Sequence, residues 1–287
     1  VVEFERESFM PGGAANVARN LTALGGGVNL FGLVGKDGEA RQLRALLKEE
    51  KVDGRGLKVV NDRLTTRKTR VVAHQQQVVR IDRETKPTED LRITKRLLNA
   101  VEKDIDGADA IIVADYNKGV VTQELIEGLR TLCRPRGIWL SLDPKPLHQL
   151  EVSGFSLMTP NRSELFEMAG MADEIHHENP LRDKHLMVAV KAVQVKYQPA
   201  LLLVTLSEQG MLLAQHGRRP EVVPTMAQEV YDVSGAGDTV IASFTIAIAA
   251  GASPLEATLF ANHAAGIVVG KIGTATVSPR ELAASFK

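Results

Sequence analysis

The sequence predicts an α/β fold: a doubly wound, mostly parallel sheet flanked by helices, with a small β-sheet lid. Three observations carry this. Short apolar runs alternate with segments of helical periodicity along most of the chain, the pattern of crossover-connected parallel strands. Beyond Gly237 the helical pattern continues unbroken to the C-terminus. Residues 1–9 and 67–84, in contrast, fit no strand–helix repeat and alternate with the period of a half-exposed sheet. The expected division is therefore 10–66 and 85–287 for the α/β body, with 1–9 and 67–84 as the lid.

The expected body strands are 28–34, 110–114, 138–142, 155–158 and 201–205, all rich in Val, Ile and Leu. Helices are expected at 14–24, 39–50, 89–103, 123–132, 163–169 and 183–197, then three more after Gly237. Two late starts are strongly marked. Ser253-Pro254-Leu255-Glu256 and Ser278-Pro279-Arg280-Glu281 each place a capping serine, a proline at the first helical position and a glutamate at the third. In the lid, Val2, Phe4 and Arg6 alternate with Val1, Glu3 and Glu5, and two runs within 68–83 are joined by His74-Gln75-Gln76-Gln77.

Composition bounds the function. The 287 residues are 44% hydrophobic and 24% charged, with 35 basic residues against 35 acidic, so no global field favours nucleic acid or an anionic membrane. The longest apolar run, 240–250, is too short to span a bilayer, and no signal peptide opens the sequence, so a cytoplasmic location is expected. Cys133 is the sole cysteine and reads as a packing residue at a helix end. The seven histidines show no metal-ligand spacing.

The most informative segment is Tyr231-Asp232-Val233-Ser234-Gly235-Ala236-Gly237-Asp238-Thr239, which sets two glycines and an aspartate at the mouth of a long apolar helix. Gly235 and Gly237 allow backbone N–H groups to converge on an anion, and the helix dipole points its positive end at the same place. A carboxylate at Asp238 would repel a resident phosphate, so its use is to take a proton from a hydroxyl while the N–H groups of Gly235, Ala236 and Gly237 hold the transferring phosphoryl group. Simple helix capping by Asp238 and Thr239 is the plainer reading of those nine residues alone.

This segment resembles the C-terminal signature of the ribokinase-like (PfkB) carbohydrate kinases, which ends in Gly-Ala-Gly-Asp. Pro11-Gly12-Gly13-Ala14-Ala15-Asn16-Val17-Ala18 is similar to the family's N-terminal sugar-binding Gly-Gly-x-x-x-Asn motif. The resemblance implies a magnesium- and ATP-dependent sugar kinase with Asp238 as general base. It also implies a lid that covers the sugar and mates with its copy in a homodimer. Gly12 and Gly13 would let the chain approach the sugar, while Asn16 and Asp115 would hold its hydroxyls. Family members carry a further core strand before the point where this sequence begins, ending in a sugar-holding aspartate, and no residue here can replace it.

Local wording narrows the substrate. Residues 76–82, 228–232 and 260–274 resemble the heptose 7-phosphate kinases of lipopolysaccharide synthesis, implying transfer to the anomeric O1 of D-glycero-β-D-manno-heptose 7-phosphate. The same stretch is similar to one half of two-domain kinase–nucleotidyltransferases, and a stand-alone kinase is the expectation for this sequence. A phosphorylated sugar requires cations in its pocket. Arg80 on a lid face, Lys118 after strand 110–114 and Lys145 after strand 138–142 are the candidates, at positions that face the crevice of an open α/β sheet. Each can also be solvated surface. Other ribokinase-like kinases, acting on fructose 6-phosphate or ribose, and a non-catalytic sugar-phosphate sensor are the competing readings.

Thr159-Pro160-Asn161-Arg162-Ser163-Glu164 resembles the family's Asn-x-x-Glu motif, which implies that Glu164 acts on magnesium through water. Asn161 and Glu164 also have capping-box spacing, and both readings stand. By resemblance, the nucleotide would meet Asn161, Thr205, Ser207, Gly210, Asn262, His263, Gly266 and Ser278, and an alkali cation (K+) would sit near Asp232 and the Thr274 loop.

Overall fold

A computed structural model describes residues 3–73, 76–85, 90–146, 150–227 and 229–286. The Val1-Val2 start of the expected first lid strand, His74-Gln75 of the hairpin turn, the Glu89 helix start and Gln228 lie outside the described residues.

The elements follow in chain order: α1 (Ala14–Ala23), β1 (Gly32–Val34), α2 (Gly38–Glu49), β2 (Leu57–Val59), β3 (Arg67–Ala73), β4 (Gln76–Arg83), α3 (Leu91–Asp104) and β5 (Ala110–Ala114). Next come α4 (Gln123–Cys133), β6 (Trp139–Asp143), β7 (Leu157–Met158), α5 (Arg162–Ala169), α6 (Lys184–Tyr197), β8 (Leu201–Thr205), β9 (Met211–Gln215) and β10 (Glu221–Val223). The chain closes with α7 (Ala236–Ala249), α8 (Pro254–Val269) and α9 (Pro279–Ser285).

The main sheet has the order β10-β9-β8-β7-β6-β5. Strands β5 to β8 run parallel, as the alternation with helices requires, and β9 and β10 append antiparallel. Period-two alternation sends each strand's side chains to opposite faces, and both faces are covered. Leu202 and Val204 of β8 join a core with Ile126 of α4, Leu165 of α5 and Ala189 of α6. Their neighbours Leu201 and Leu203 join Val17 of α1, Ile241 and Phe244 of α7 and Ala257 of α8. The doubly wound expectation therefore holds.

Three expectations change. The segment 28–34 yields only the short β1, which pairs with β2 in a separate two-stranded parallel sheet. β2, β9 and β10, unmarked in the sequence reading, are too short or too close to a turn to show a period. Of the expected second sheet the β3–β4 hairpin forms, with a bulge at Val71/Val72; residues 3–9 lie exposed beside it in no strand. Only peripheral contacts hold that arm, including Glu7 to Arg67 at 3.0 Å and the Arg67 guanidinium over the Phe9 ring.

Candidate active site

An open space of about 3210 Å³ runs along the free edge of β5, from Asp104–Ala110 at its amino end to a crevice between the β3–β4 hairpin, β1, the carboxyl end of β5 and the start of α7. Both glycine-rich motifs line it, one from each end of the chain.

The start of α7 is built by Gly235. Its φ of 81° is left-handed, and a Cβ there would stand 2.6 Å from Asn16 Nδ2, so only glycine fits. Gly237, expected to need the same freedom, instead lies within the first helical turn without positive φ, and a Cβ on it would meet nothing within 4 Å. The helix begins at Ala236, ahead of the expected start after Gly237, so the first-turn N–H groups of Gly237 and Asp238 open its N-terminus. The Ala236 N–H is taken by the Val233 carbonyl at 3.2 Å.

Asp238 is buried on that first turn. Asn16, 222 residues away and wholly buried one turn into α1, donates from Nδ2 to Asp238 Oδ2 at 2.7 Å. The hydroxyl of Tyr116, just past β5, donates to Asp238 Oδ1. Burial raises the Asp238 pKa above that of an ordinary aspartate, and the Tyr116 and Asn16 hydrogen bonds oppose the rise. Asn16 Oδ1 is buried with no hydrogen-bond partner. Asn16 therefore orients the carboxylate, a task beyond the sugar contact expected of it. Gly13, with φ 58°, caps α1 and lies against the Tyr116 ring, whose Cε2 would be 3.3 Å from an added Cβ; Gly12 faces open space.

Asp115, at the end of β5, lines the crevice; its Oδ1 accepts the Asn117 N–H at 2.8 Å and its N–H reaches the Asp143 carbonyl at 3.1 Å. Asp143, a partly exposed residue at the end of β6, sets its carboxyl next to Glu164 and Asp238; desolvation of that carboxyl first, then these two carboxylates, raises its pKa well above the usual range. The expected cations divide. Lys118 lines the crevice and pairs with Glu84 at 2.7 Å, and Lys145 lines it and pairs with Glu164 at 3.2 Å. Arg80 is half-exposed on the hairpin, forks around Asp82 at 2.9 and 3.1 Å and does not line the crevice. Alternation gave its face of the hairpin but not which way the hairpin turns.

Arg63 lines the crevice too, its terminal nitrogen on the Lys118 carbonyl at 2.7 Å and its buried Nε without a partner. The sequence reading passed over it, since a lone arginine after a turn carries no signal. It also passed over Tyr116 as a functional group, although its place directly after a strand-end aspartate was a signal.

Asn161 and Glu164 do form a reciprocal capping box, at 2.9 and 3.1 Å. Among the described residues no group of three or more His, Cys, Asp or Glu is arranged to hold a metal ion. Of the residues expected at the nucleotide, Thr205 ends β8 with its N–H on the Pro160 carbonyl at 3.1 Å. Ser207 has a left-handed φ of 52°, and Gly210 presses so close to β10 that a Cβ would lie 2.1 Å from the Val223 carbonyl. Asn262 donates to the Pro224 carbonyl at 2.7 Å, and one turn later Gly266 lets residues 226–227 approach α8.

His263 faces elsewhere. Its Nδ1 meets Ser285 Oγ at 3.0 Å and its ring stacks on Phe286 at 3.9 Å, so it fastens the C-terminal helix. Ser278 caps α9. Asp232 accepts N–H groups of Ser234 at 2.8 Å and Gly273 at 3.0 Å, whereas the Thr274 carbonyl is taken by Arg19 at 2.8 Å.

Known proteins share this plan. The profile of the pfkB family carbohydrate kinases matches residues 1–281. Bifunctional protein HldE of Helicobacter pylori (strain J99) is 42% identical over 283 residues, covering 99% of this chain and 59% of that protein. Bifunctional protein HldE of Sulfurimonas denitrificans is 39% identical over 282 residues, covering 98% and 57%. The chain thus spans somewhat less than two thirds of these relatives' length. The fold matches phosphofructokinase-2 from Escherichia coli in complex with potassium, with a TM-score of 0.79 at 19% identity, covering 100% of this chain and 92% of that one. It also matches Arabidopsis thaliana ribokinase complexed with ribose and ATP, with a TM-score of 0.73 at 20% identity, covering 95% and 86%.

Proposed function

We infer the reaction from the family: the chain belongs to the pfkB carbohydrate kinases, and its proposed acceptor is D-glycero-β-D-manno-heptose 7-phosphate. In this reading Asp238 takes the proton from the anomeric hydroxyl, whose oxygen attacks the γ-phosphorus of ATP in line as ADP departs, giving the 1,7-bisphosphate. The observation that carries it is the pairing of a buried, two-point-oriented carboxylate with an open helix N-terminus on one crevice wall. Gly235 shapes the anion cradle, and the N–H groups of Gly237 and Asp238 meet the developing charge, with that of Ala236 joining if it leaves Val233.

Magnesium suits the carboxylates gathered behind the site, because the mutual repulsion of Asp143 and Glu164 is relieved by a dication. With no compact ligand cluster among the described residues, Glu164 would meet it through water. It would supply charge neutralisation on the nucleotide phosphates. Asp232, an acceptor already bound by two N–H groups, remains the proposed neighbour of any K+.

Lys118 and Lys145 are proposed to hold the sugar phosphate, with Asn16 Oδ1 and Asp115 on hydroxyls. The heptose choice is supported by the likeness of segments 76–82 and 260–274 and by the identity to the HldE proteins. The proposed homodimer joins through the lid, where Val72, Val78, Val79 and Ile81 are exposed on the hairpin. Side-by-side ADP release with heptose 7-phosphate, fructose 6-phosphate and ribose tests the substrate. Equal turnover of the unphosphorylated sugar overturns the heptose reading.

A further inference from the structure

Tyr116 ties together the two motifs that the reaction needs. Its ring lies on Gly13 of the sugar motif and its hydroxyl donates to Asp238 of the phosphoryl motif. The residue is held at the carboxyl end of β5 by a turn in which Asn117 has φ 52° and Gly119 φ 70°. Yet it is 36% exposed, so its ring edge reaches the crevice.

The two oxygens of Asp238 are not equivalent. Oδ2 faces the buried Asn16 amide, which packs inside α1 and stays. Oδ1 carries the phenol, the partner on the crevice side. A sugar hydroxyl or a water molecule that takes up a hydrogen bond to Oδ1 from the crevice side competes there with the phenol.

We propose that Tyr116 is a positioning residue that closes Asp238 to water until a sugar hydroxyl displaces its phenol. The inference rests on the proposed role of Asp238 as base. The phenol is suited to it as a donor only. Burial first, then the carboxylates Asp238, Asp143 and Glu164, raises its pKa far out of the working range, so it does not compete for protons. The groups that face Asp238 are Asn16 from α1, Tyr116 past β5 and Asp143 from β6, with Glu164 of α5 and Lys145 next to Asp143. Of these, Tyr116 is the one whose hydrogen bond can be exchanged at the crevice without unpacking a helix.

Without the phenol, a water molecule at Oδ1 would lose its proton to Asp238 while its oxygen bonds to the γ-phosphorus of ATP. ADP leaves and inorganic phosphate results. Tyr116→Phe keeps the ring on Gly13 and removes only the hydroxyl. Sugar-independent ADP release is expected to rise about 10-fold or more relative to sugar-dependent transfer, the scale of one lost hydrogen bond to a charged group. The acid limb of kcat/KM for the sugar is expected to move to higher pH, because the phenol's hydrogen bond lowers the Asp238 pKa and its loss lets burial raise it further. The double variant Tyr116→Phe, Asp238→Asn is expected to lose the leak.

An unchanged ratio of hydrolysis to transfer, an unmoved acid limb, or a leak that survives in the double variant overturns the inference. A thermal melt of Tyr116→Phe at the parental temperature shows the effect to be local; a melt lowered together with an unchanged ratio also overturns it. A parent that transfers phosphoryl to no sugar fails the base reading itself, and this inference falls with it, which separates the two failures.

Discussion

Replacing Asp238 by asparagine isolates proton transfer from architecture. The carboxylate accepts one hydrogen bond on each oxygen, from Asn16 Nδ2 at 2.7 Å and from the Tyr116 hydroxyl. Asparagine reproduces this with little rearrangement: its oxygen accepts from Asn16, and its amide donates to the Tyr116 oxygen once that hydroxyl rotates. Shape and packing are kept, so the change reports on basicity. General-base loss costs about 100-fold or more in turnover, or roughly 2.7 kcal/mol of barrier. Stability should move the opposite way. Burial raises the folded pKa of Asp238, so in the folded state the group binds its proton up to a higher pH than it does unfolded, and its contribution falls as pH rises through that window. The melting temperature of Asp238→Asn relative to the parent should therefore increase from acid to neutral pH. ADP release with sugar gives the rate, calorimetry gives ATP and sugar affinity, and melts across pH give the linkage. Turnover within a few-fold of the parent, with binding intact, would refute the role assigned to this carboxylate.

The two glycines of the tetrad should separate cleanly: Gly235→Ala, at φ 81° with Asn16 Nδ2 2.6 Å from the new Cβ, should lower both the melt and turnover, whereas Gly237→Ala should fold as the parent does and lose transfer alone. Circular dichroism melts beside ADP release decide this. Lys118→Ala and Lys145→Ala should raise KM for heptose 7-phosphate by about 10-fold or more and leave KM for ATP nearly unchanged, while Arg80→Ala should do neither; parental constants in both lysine variants would remove them from phosphate binding. Glu281, whose carboxyl Lys271 and then Ser278 hold down to about 2, stabilises α9 at pH above the ordinary glutamate value and loses that effect as pH falls through about 2. Glu281→Gln should melt lower than the parent at pH 7 and equal to it near pH 2, as read by thermal denaturation.

What the sequence alone determined is what local physics can write. Alternation and length announced β5, β6 and β8, and the capping boxes at Ser253 and Ser278 are present as their spacing requires. The tetrad and the Gly12-Gly13 motif pointed to the pfkB carbohydrate kinases by their resemblance to the family's two signatures, and the family match over residues 1–281 agrees. What only tertiary structure decided are relations between distant segments. No periodicity relates Asn16 to Asp238 or brings Tyr116 to the same carboxylate; the packing of α1 and β5 against α7 does. Motif reading also could not say which tetrad glycine is strained, since that depends on the turn entering α7, or that His263 faces α9, since a helix in a two-sided core buries polar residues in either direction. Charged side chains were the least legible, because the partner that holds each one, Asp82 for Arg80 and Glu164 for Lys145, is fixed by geometry that opposite charges satisfy only after the backbone has folded.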